Sequence, residues 1–226
     1  MTRLALTLAL LFPLLLLSAA PARAEATDRG PRICLQPLGK YDRALLGKAV
    51  LGIKYLYGYR VRVLQQVKMP AEAFYKPRRR HRADKLLRFL EETVSVRDDC
   101  DIAIGFTSQD ISTTKGQTRD WGIFGLGSVG GTTCVVSTHR LTRKTNNRRK
   151  MAIRTVKVVN HELGHVLGLG HCPKEGCLMA DAKGTIKTVD QESGLLCKLC
   201  QAQITIAHGK LPDREAVDWD SLLNEE

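Results

Sequence analysis

No segment after Leu17 is apolar for long enough to cross a bilayer, and the chain shows no internal repeat and no low-complexity linker. These absences exclude a multi-span membrane protein and a tethered array of small domains. Aromatic residues are missing from the two strongly basic stretches, Lys76 to Arg88 and Arg140 to Lys157, so neither offers rings on which bases would stack. The formal charge of +12 therefore reads as solvated helix faces and loops, and nucleic acid is not an expected partner.

What is present begins with a leader. Met1, Thr2 and Arg3 precede an apolar run from Leu4 to Leu17, and Ala22, Arg23 and Ala24 form a small-x-small cleavage signal. The run is shorter than the roughly 20 residues of a spanning helix and is broken by Pro13. Residues 1–24 are expected to be a signal peptide, and residues 25–226 one domain, exported to a periplasm or the exterior without a membrane anchor. Removal of the leader takes away two arginines and no acid, lowering the formal charge to +10. No cysteine stands at the cut, and no long segment before the first strand could carry a cysteine-switch inhibitor.

The rest alternates between strand-like and helix-like pieces, which predicts an α/β (α+β) domain. Strands are expected at Pro31–Leu38, Tyr59–Met69, Asp101–Thr107 and Thr132–Thr138, the last preceded by a glycine-rich stretch from Gly122 to Gly131. Helices are expected at Tyr41–Tyr57, around Ala83 to Leu90, and from about Arg149 to Leu169.

The last of these helices carries HELGHVLGLGHC, from His161 to Cys172. His161 and His165 are four apart, hence one helical turn apart and able to hold one ion. Glu162 is expected beside them on the exposed side, where a carboxylate can take a proton from a metal-bound water. Gly168 suits a left-handed helix end, after which the chain can turn back and present His171 as third ligand. Three histidines leave one tetrahedral position open, the mark of a catalytic rather than a closed zinc site.

Beyond His171 the chain continues with Cys172, Cys177, Met179, Cys197 and Cys200. With these, the segment from His161 to Cys200 resembles the archaemetzincins, a branch of the metzincin zinc peptidases, at every fixed position of their signature. More diffuse likeness covers Tyr75–Leu90, Gly105–Ile111 and the run FGLGSVGGTTCVVSTHRL ending at Leu141. The resemblance implies a metzincin-like fold with a twisted, mainly parallel sheet, an active-site helix, a methionine turn and a C-terminal helix. It implies that strand Thr132–Thr138 borders the cleft and could pair with an extended substrate. It also implies that Met179 packs beneath the metal, and that Cys172, Cys177, Cys197 and Cys200 hold a second, structural zinc, giving two Zn2+ per chain. In an oxidising compartment the same four could instead pair as Cys172–Cys177 and Cys197–Cys200, although the spacing favours zinc. Cys34 and Cys100 would begin neighbouring strands, so they either form a disulfide or are, with Cys134, small buried residues. His81, His139 and His208 lie in no ligand spacing and read as surface or hydrogen-bonded histidines.

The expected function is thus a zinc-dependent peptidase, acting on peptide or protein as a monomer, with Glu162 activating the zinc-bound water. The alternative is a zinc-stabilised peptide-binding protein with little hydrolytic activity. The intact Glu162 argues against that alternative, since a pure binding module has no need of it.

Overall fold

The computed structural model describes residues 30–224, so the expected leader lies outside the described residues. Strand β1 (Ile33–Pro37) is buried along its whole length, as a central strand covered on both faces must be. Asp42 caps α1 (Arg43–Tyr57), accepting the Leu45 N–H at 3.1 Å, and Gly58 ends it in a left-handed conformation, φ 74°. Strand β2 is only Val61–Val63; of the expected Tyr59–Met69 strand, the remainder contributes a single bridge from Val67 to Leu38. A short β3 (Phe74–Tyr75) and β4 (Arg80–Arg82) lead into α2 (Ala83–Phe89), which continues through a wide π-helical stretch, Leu90–Ser95, into α3 (Val96–Asp98).

Then come β5 (Ile102–Thr107), β6 (Ile111–Lys115), β7 (Thr118–Ile123), β8 (Gly125–Gly127) and β9 (Thr133–Ser137). Helix α4 (Arg148–Val166) follows, capped by the Asn147 side chain on the Lys150 N–H at 2.9 Å. The chain closes with α5 (Ile186–Gln191), α6 (Lys198–His208) and α7 (Trp219–Asn224). Among the described residues no helix is long and apolar enough to cross a membrane.

The main sheet has the order β2-β1-β5-β9-β8, parallel throughout except for β8 against β9. Period-two alternation sorts its side chains: Ile33, Leu35, Ile104, Phe106, Cys134 and Val136 join the core under α1 and α4, while Ala103 and Val135 join a second core under α2. Cys34 and Cys100 form a disulfide across β1 and the start of β5, and Cys134 is free and fully buried.

A second sheet, β3-β4-β6-β7, is mostly antiparallel. Its β6–β7 hairpin is absent from the sequence-level expectation, although Gly116 at φ 55° sits in the two-residue connection where such a turn needs a left-handed residue. The basic stretches are not simply solvated either. Arg80 bridges Asp110 (2.8 Å) and Asp120 (2.9 Å), Arg140 meets the same Asp110 at 2.7 Å, and the nearly buried Arg154 pairs with Asp190 at 2.7 Å. These arginines are internal ties, joining the second sheet to the segment after β9 and α4 to α5.

Helices α1 and α4 pack without a side chain between them at Gly52, where any Cβ would meet Val156 Cγ1 at 2.6 Å. Asn160 Nδ2 donates to the Gly52 carbonyl (3.1 Å) and the Tyr57 hydroxyl to the Asn160 carbonyl (2.7 Å). These bonds fix the rotation of α4, which decides where its next turn points.

Candidate active site

That next turn holds His161, Glu162 and His165. The helix stops at Val166, and Gly168, at φ 97°, donates its N–H to the His165 carbonyl at 2.9 Å, reversing the chain as its position suggested. The reversal brings His171 to the two helical histidines: ring centroids lie 4.7 Å (161–165), 5.5 Å (161–171) and 4.8 Å (165–171) apart. One nitrogen of each ring lies within 4.8 Å of the others.

Their protonation follows from their partners. His161 Nδ1 lies 2.7 Å from the Leu178 carbonyl and His165 Nδ1 2.7 Å from the Leu169 carbonyl. A carbonyl only accepts, so each Nδ1 carries the hydrogen and each Nε2 presents a lone pair. The two Nε2 atoms face each other at 3.1 Å. Two lone pairs so placed repel unless a cation lies between them, and carbonyl-oriented imidazoles are how metal-binding histidines are commonly held. Burial lowers the His161 imidazole to about 4 and lowers that of His165 as well, keeping both neutral as ligands must be. The histidine set therefore fits zinc.

Glu162 is not on an exposed face, as the helical position alone suggested. It is 7% exposed because β8 lies directly over it. A Cβ at Gly125 would meet Glu162 Cγ at 2.5 Å, and one at Gly127 would meet the Glu162 carbonyl oxygen at 2.6 Å. Two alternate glycines thus let a backbone roof the carboxylate, a role invisible in the glycine-rich run until its strand register is known. Burial pushes the Glu162 carboxyl up to about 8, opposed by the Gly127 N–H that donates to it.

The same strand corrects another expectation. Strand β9, within Thr132–Thr138, does not border the cleft, because β8 pairs with it (Gly125 with Val136, Gly127 with Cys134) and takes the edge. The cleft, of about 410 Å³, lies between β8, the β6–β7 hairpin, the histidines and the segment Asp181–Gly184. Lys115, Trp121 and Lys183, which carried no motif, also line it.

Met179 lies under α4 with no exposure, against the bare backbone of Gly164, where a Cβ would meet its sulfur at 2.5 Å. The four cysteines are free and gathered. Cys172 and Cys197 sulfurs are 3.8 Å apart, and Cys177 and Cys200 sulfurs 3.9 Å. Tetrahedral zinc with Zn–S of about 2.3 Å separates its sulfurs by about 3.8 Å, whereas a disulfide needs about 2.05 Å. This set too fits zinc, with all four sulfurs within 4.8 Å of one another and none joined to another in a disulfide. Cys197 caps α6; although burial opposes it, the Cys200 N–H and the neighbouring thiols bring its thiol down to about 7.

The remaining histidines divide. His208 Nε2 bonds the Leu167 carbonyl (3.1 Å) and His139 is exposed, but His81 is neither on the surface nor bonded through Nδ1: it is buried against Phe74.

Residues 42–206 match the model of peptidase family M54. The archaemetzincin of Halobacterium salinarum is 29% identical over 180 residues, covering 76% of this chain and 99% of that protein. That of Saccharolobus islandicus is 31% identical over 179 residues, 75% and 90% respectively. Among solved structures, the archaemetzincin of Methanopyrus kandleri superposes with a TM-score of 0.68 at 27% identity, covering 79% of this chain and 96% of that one. The archaemetzincin of Archaeoglobus fulgidus, complexed with malonate, gives 0.65 at 27% identity, covering 76% and 99%.

Proposed function

Because the chain belongs to peptidase family M54, the archaemetzincins, and is a zinc metallopeptidase, we propose that it cleaves peptide bonds with His161, His165 and His171 holding the catalytic zinc and Glu162 acting as general base. Bound there, zinc supplies Lewis acidity toward a carbonyl oxygen and lowers the pKa of a coordinated water toward 7. Everything else is done by the chain. The Leu178 and Leu169 carbonyls hold the two helical imidazoles in the ligand tautomer. Glu162, kept off bulk water by Gly125 and Gly127, accepts the proton of the attacking water and delivers it to the leaving amine. The free edge of β8 offers backbone groups to an extended peptide, which would add to the sheet beside the carboxylate.

The reading rests on one observation: two Nε2 lone pairs converge at 3.1 Å with a third imidazole and a buried carboxylate alongside. Cys172, Cys177, Cys197 and Cys200 are proposed to hold a second, structural zinc, supported by their sulfur spacing. Export through the leader is proposed as well, supported by the Cys34–Cys100 disulfide, a bond that persists in oxidising compartments.

The test is to incubate zinc-loaded protein with a diverse peptide mixture and read the products by mass spectrometry beside Glu162→Gln. Cleavage by the native protein and a loss of roughly 10²–10⁴-fold in the variant, with zinc content intact, are expected. Equal turnover by both proteins refutes the role of Glu162, and intact peptides with both leave a zinc-stabilised binding protein as the better description.

A further inference from the structure

Taking the peptidase reading as its basis, we propose that the cleft selects peptides that carry a carboxylate close to the scissile bond, and that Lys115 and Lys183 are the residues that recognise it. Four charged side chains other than the histidines line the cleft: Lys115 from the β6–β7 hairpin, Glu162 from α4, and Asp181 and Lys183 from the segment after Met179. Glu162 is buried and committed to proton transfer. The Asp181 carboxylate is turned onto its own loop, where it accepts the Lys183 N–H at 2.8 Å. That carboxylate still feels the charge of His171 and of both lysines, so what meets a substrate is two ammonium groups, one from the hairpin and one from the loop, partly offset by one carboxylate.

Neither ammonium is closed into an ion pair among the described residues; Lys115 Nζ instead lies 5.7 Å from the Trp121 ring centroid. Local backbone irregularities present both. The β6–β7 register shifts between Thr113 and Lys115, an irregularity of the kind that re-aims a side chain. Lys183 adopts φ 47°, a left-handed conformation unusual for lysine, followed by Gly184 at φ 74°. Trp121 then ties the two walls together, because it lies over Gly184 so closely that a Cβ there would come within 3.0 Å of the indole. The lysines thus line the cleft from the hairpin and from the loop after Met179, two ammonium groups against the single Asp181 carboxylate whose charge they share.

A substrate carboxylate entering this space gains from both cations, while a free amino terminus is repelled by them. The carboxylate has two sources with the same chemistry, an Asp or Glu side chain or the C-terminus of a short peptide. Four matched peptides separate them: Glu against Gln beside the cleaved bond, each as C-terminal acid and C-terminal amide. Two quantities are measured, kcat/KM with native protein and Kd by fluorescence anisotropy with Glu162→Gln, which holds peptides uncut. The carboxylate-bearing member of a pair is expected to bind and react roughly tenfold better, each lysine giving about three- to fivefold, with the gap shrinking in high salt. Lys115→Ala and Lys183→Ala should each reduce the ratio. Replacing both by glutamate should invert it in favour of lysine-bearing peptides, with melting temperature and zinc content confirming intact folds. A preference within twofold of unity for every pair, no binding of any peptide, or a preference unmoved by the double reversal overturns the proposal. Absence of Glu162-dependent cleavage while the binding preference persists counts instead against the peptidase reading.

Discussion

The three-histidine and four-cysteine clusters are joined at adjacent residues, His171 and Cys172, yet they are built in opposite ways. Two histidines stand one turn apart on a 19-residue helix whose rotation is fixed by Asn160, Tyr57 and the bare backbone at Gly52. The cysteines come from two separated stretches, and only Cys200 lies within a regular element. One cluster decorates a helix that packing alone positions; the other joins two stretches outside regular structure, which also meet through the Leu178 N–H on the Leu195 carbonyl and the Ser193 N–H on the Gly176 carbonyl, both at 2.9 Å. The tripeptide Cys177–Met179 links both. Cys177 supplies a thiol, the Leu178 carbonyl orients His161, and the Met179 carbonyl takes the Cys172 N–H at 2.8 Å. The difference suggests that stability should reside in the cysteines and chemistry in the histidines.

That contrast can be broken most directly at the two extremes. With the proposed zinc at the four cysteines, Cys200→Ala, removing a buried thiol, is expected to cost at least about 3–5 kcal/mol, because binding of a structural zinc is itself folding free energy. His161→Ala should abolish peptide cleavage while leaving the melting temperature within a few degrees. Equal melting temperatures for the two variants would show that the clusters do not divide their labour.

The coupling between them is sharpened by Cys172→Ser. If the cysteine cluster fixes the loop presenting His171, this variant loses zinc from both places, and metal analysis should find clearly fewer than two ions per chain. Retention of two ions with normal stability would mean that His171 is placed independently.

Gly164→Ala probes the packing beneath the helix. The new methyl would meet Met179 at 2.5 Å, so a loss of about 1–3 kcal/mol in urea denaturation is expected, with the catalytic ion held less tightly. An unchanged midpoint would remove Met179 from the account.

The smallest effect lies where α4 touches the segment leading to the cysteines. Lys157, one turn before His161, donates to the carbonyls of Val189 (2.9 Å) and Asp190 (3.3 Å) and to that of Glu192. Burial, opposed by Lys157, raises the nearby Glu192 carboxyl to about 8. Raised above its unfolded value near 4.5, this group favours the folded state below that pH, and the contribution fades as pH climbs through 8. Glu192→Gln should therefore melt progressively above the native protein between pH 4.5 and 8, by on the order of 1–2 kcal/mol after solvent screening. A gap constant with pH would contradict the burial of that carboxylate.

The two clusters were also unequally legible. His161, Glu162 and His165 could be read together because helical period alone brings residues four apart onto one face, and Gly168 announced the reversal to His171. The parallel inner strands showed as short apolar runs, Ile102–Thr107 and Thr133–Ser137. The cysteines could be read only through their resemblance to a known signature, since nothing local dictates that residues 25 apart should meet. Lys115, Trp121 and the β6–β7 hairpin escaped notice because their meaning is entirely positional: a lysine beside a bulge looks like any surface lysine until the cleft is drawn around it.

By itself the sequence determined the chemistry on offer, two imidazoles and a carboxylate at helical spacing, a third imidazole after a glycine turn and then four thiols, because periodicity and short-range turns are properties of neighbouring residues. Only the tertiary structure decided that Glu162 is roofed over rather than exposed, and that β8 rather than β9 takes the sheet edge. Each of those depends on which strand lies beside which, a choice made by long-range pairing and packing that no local pattern encodes.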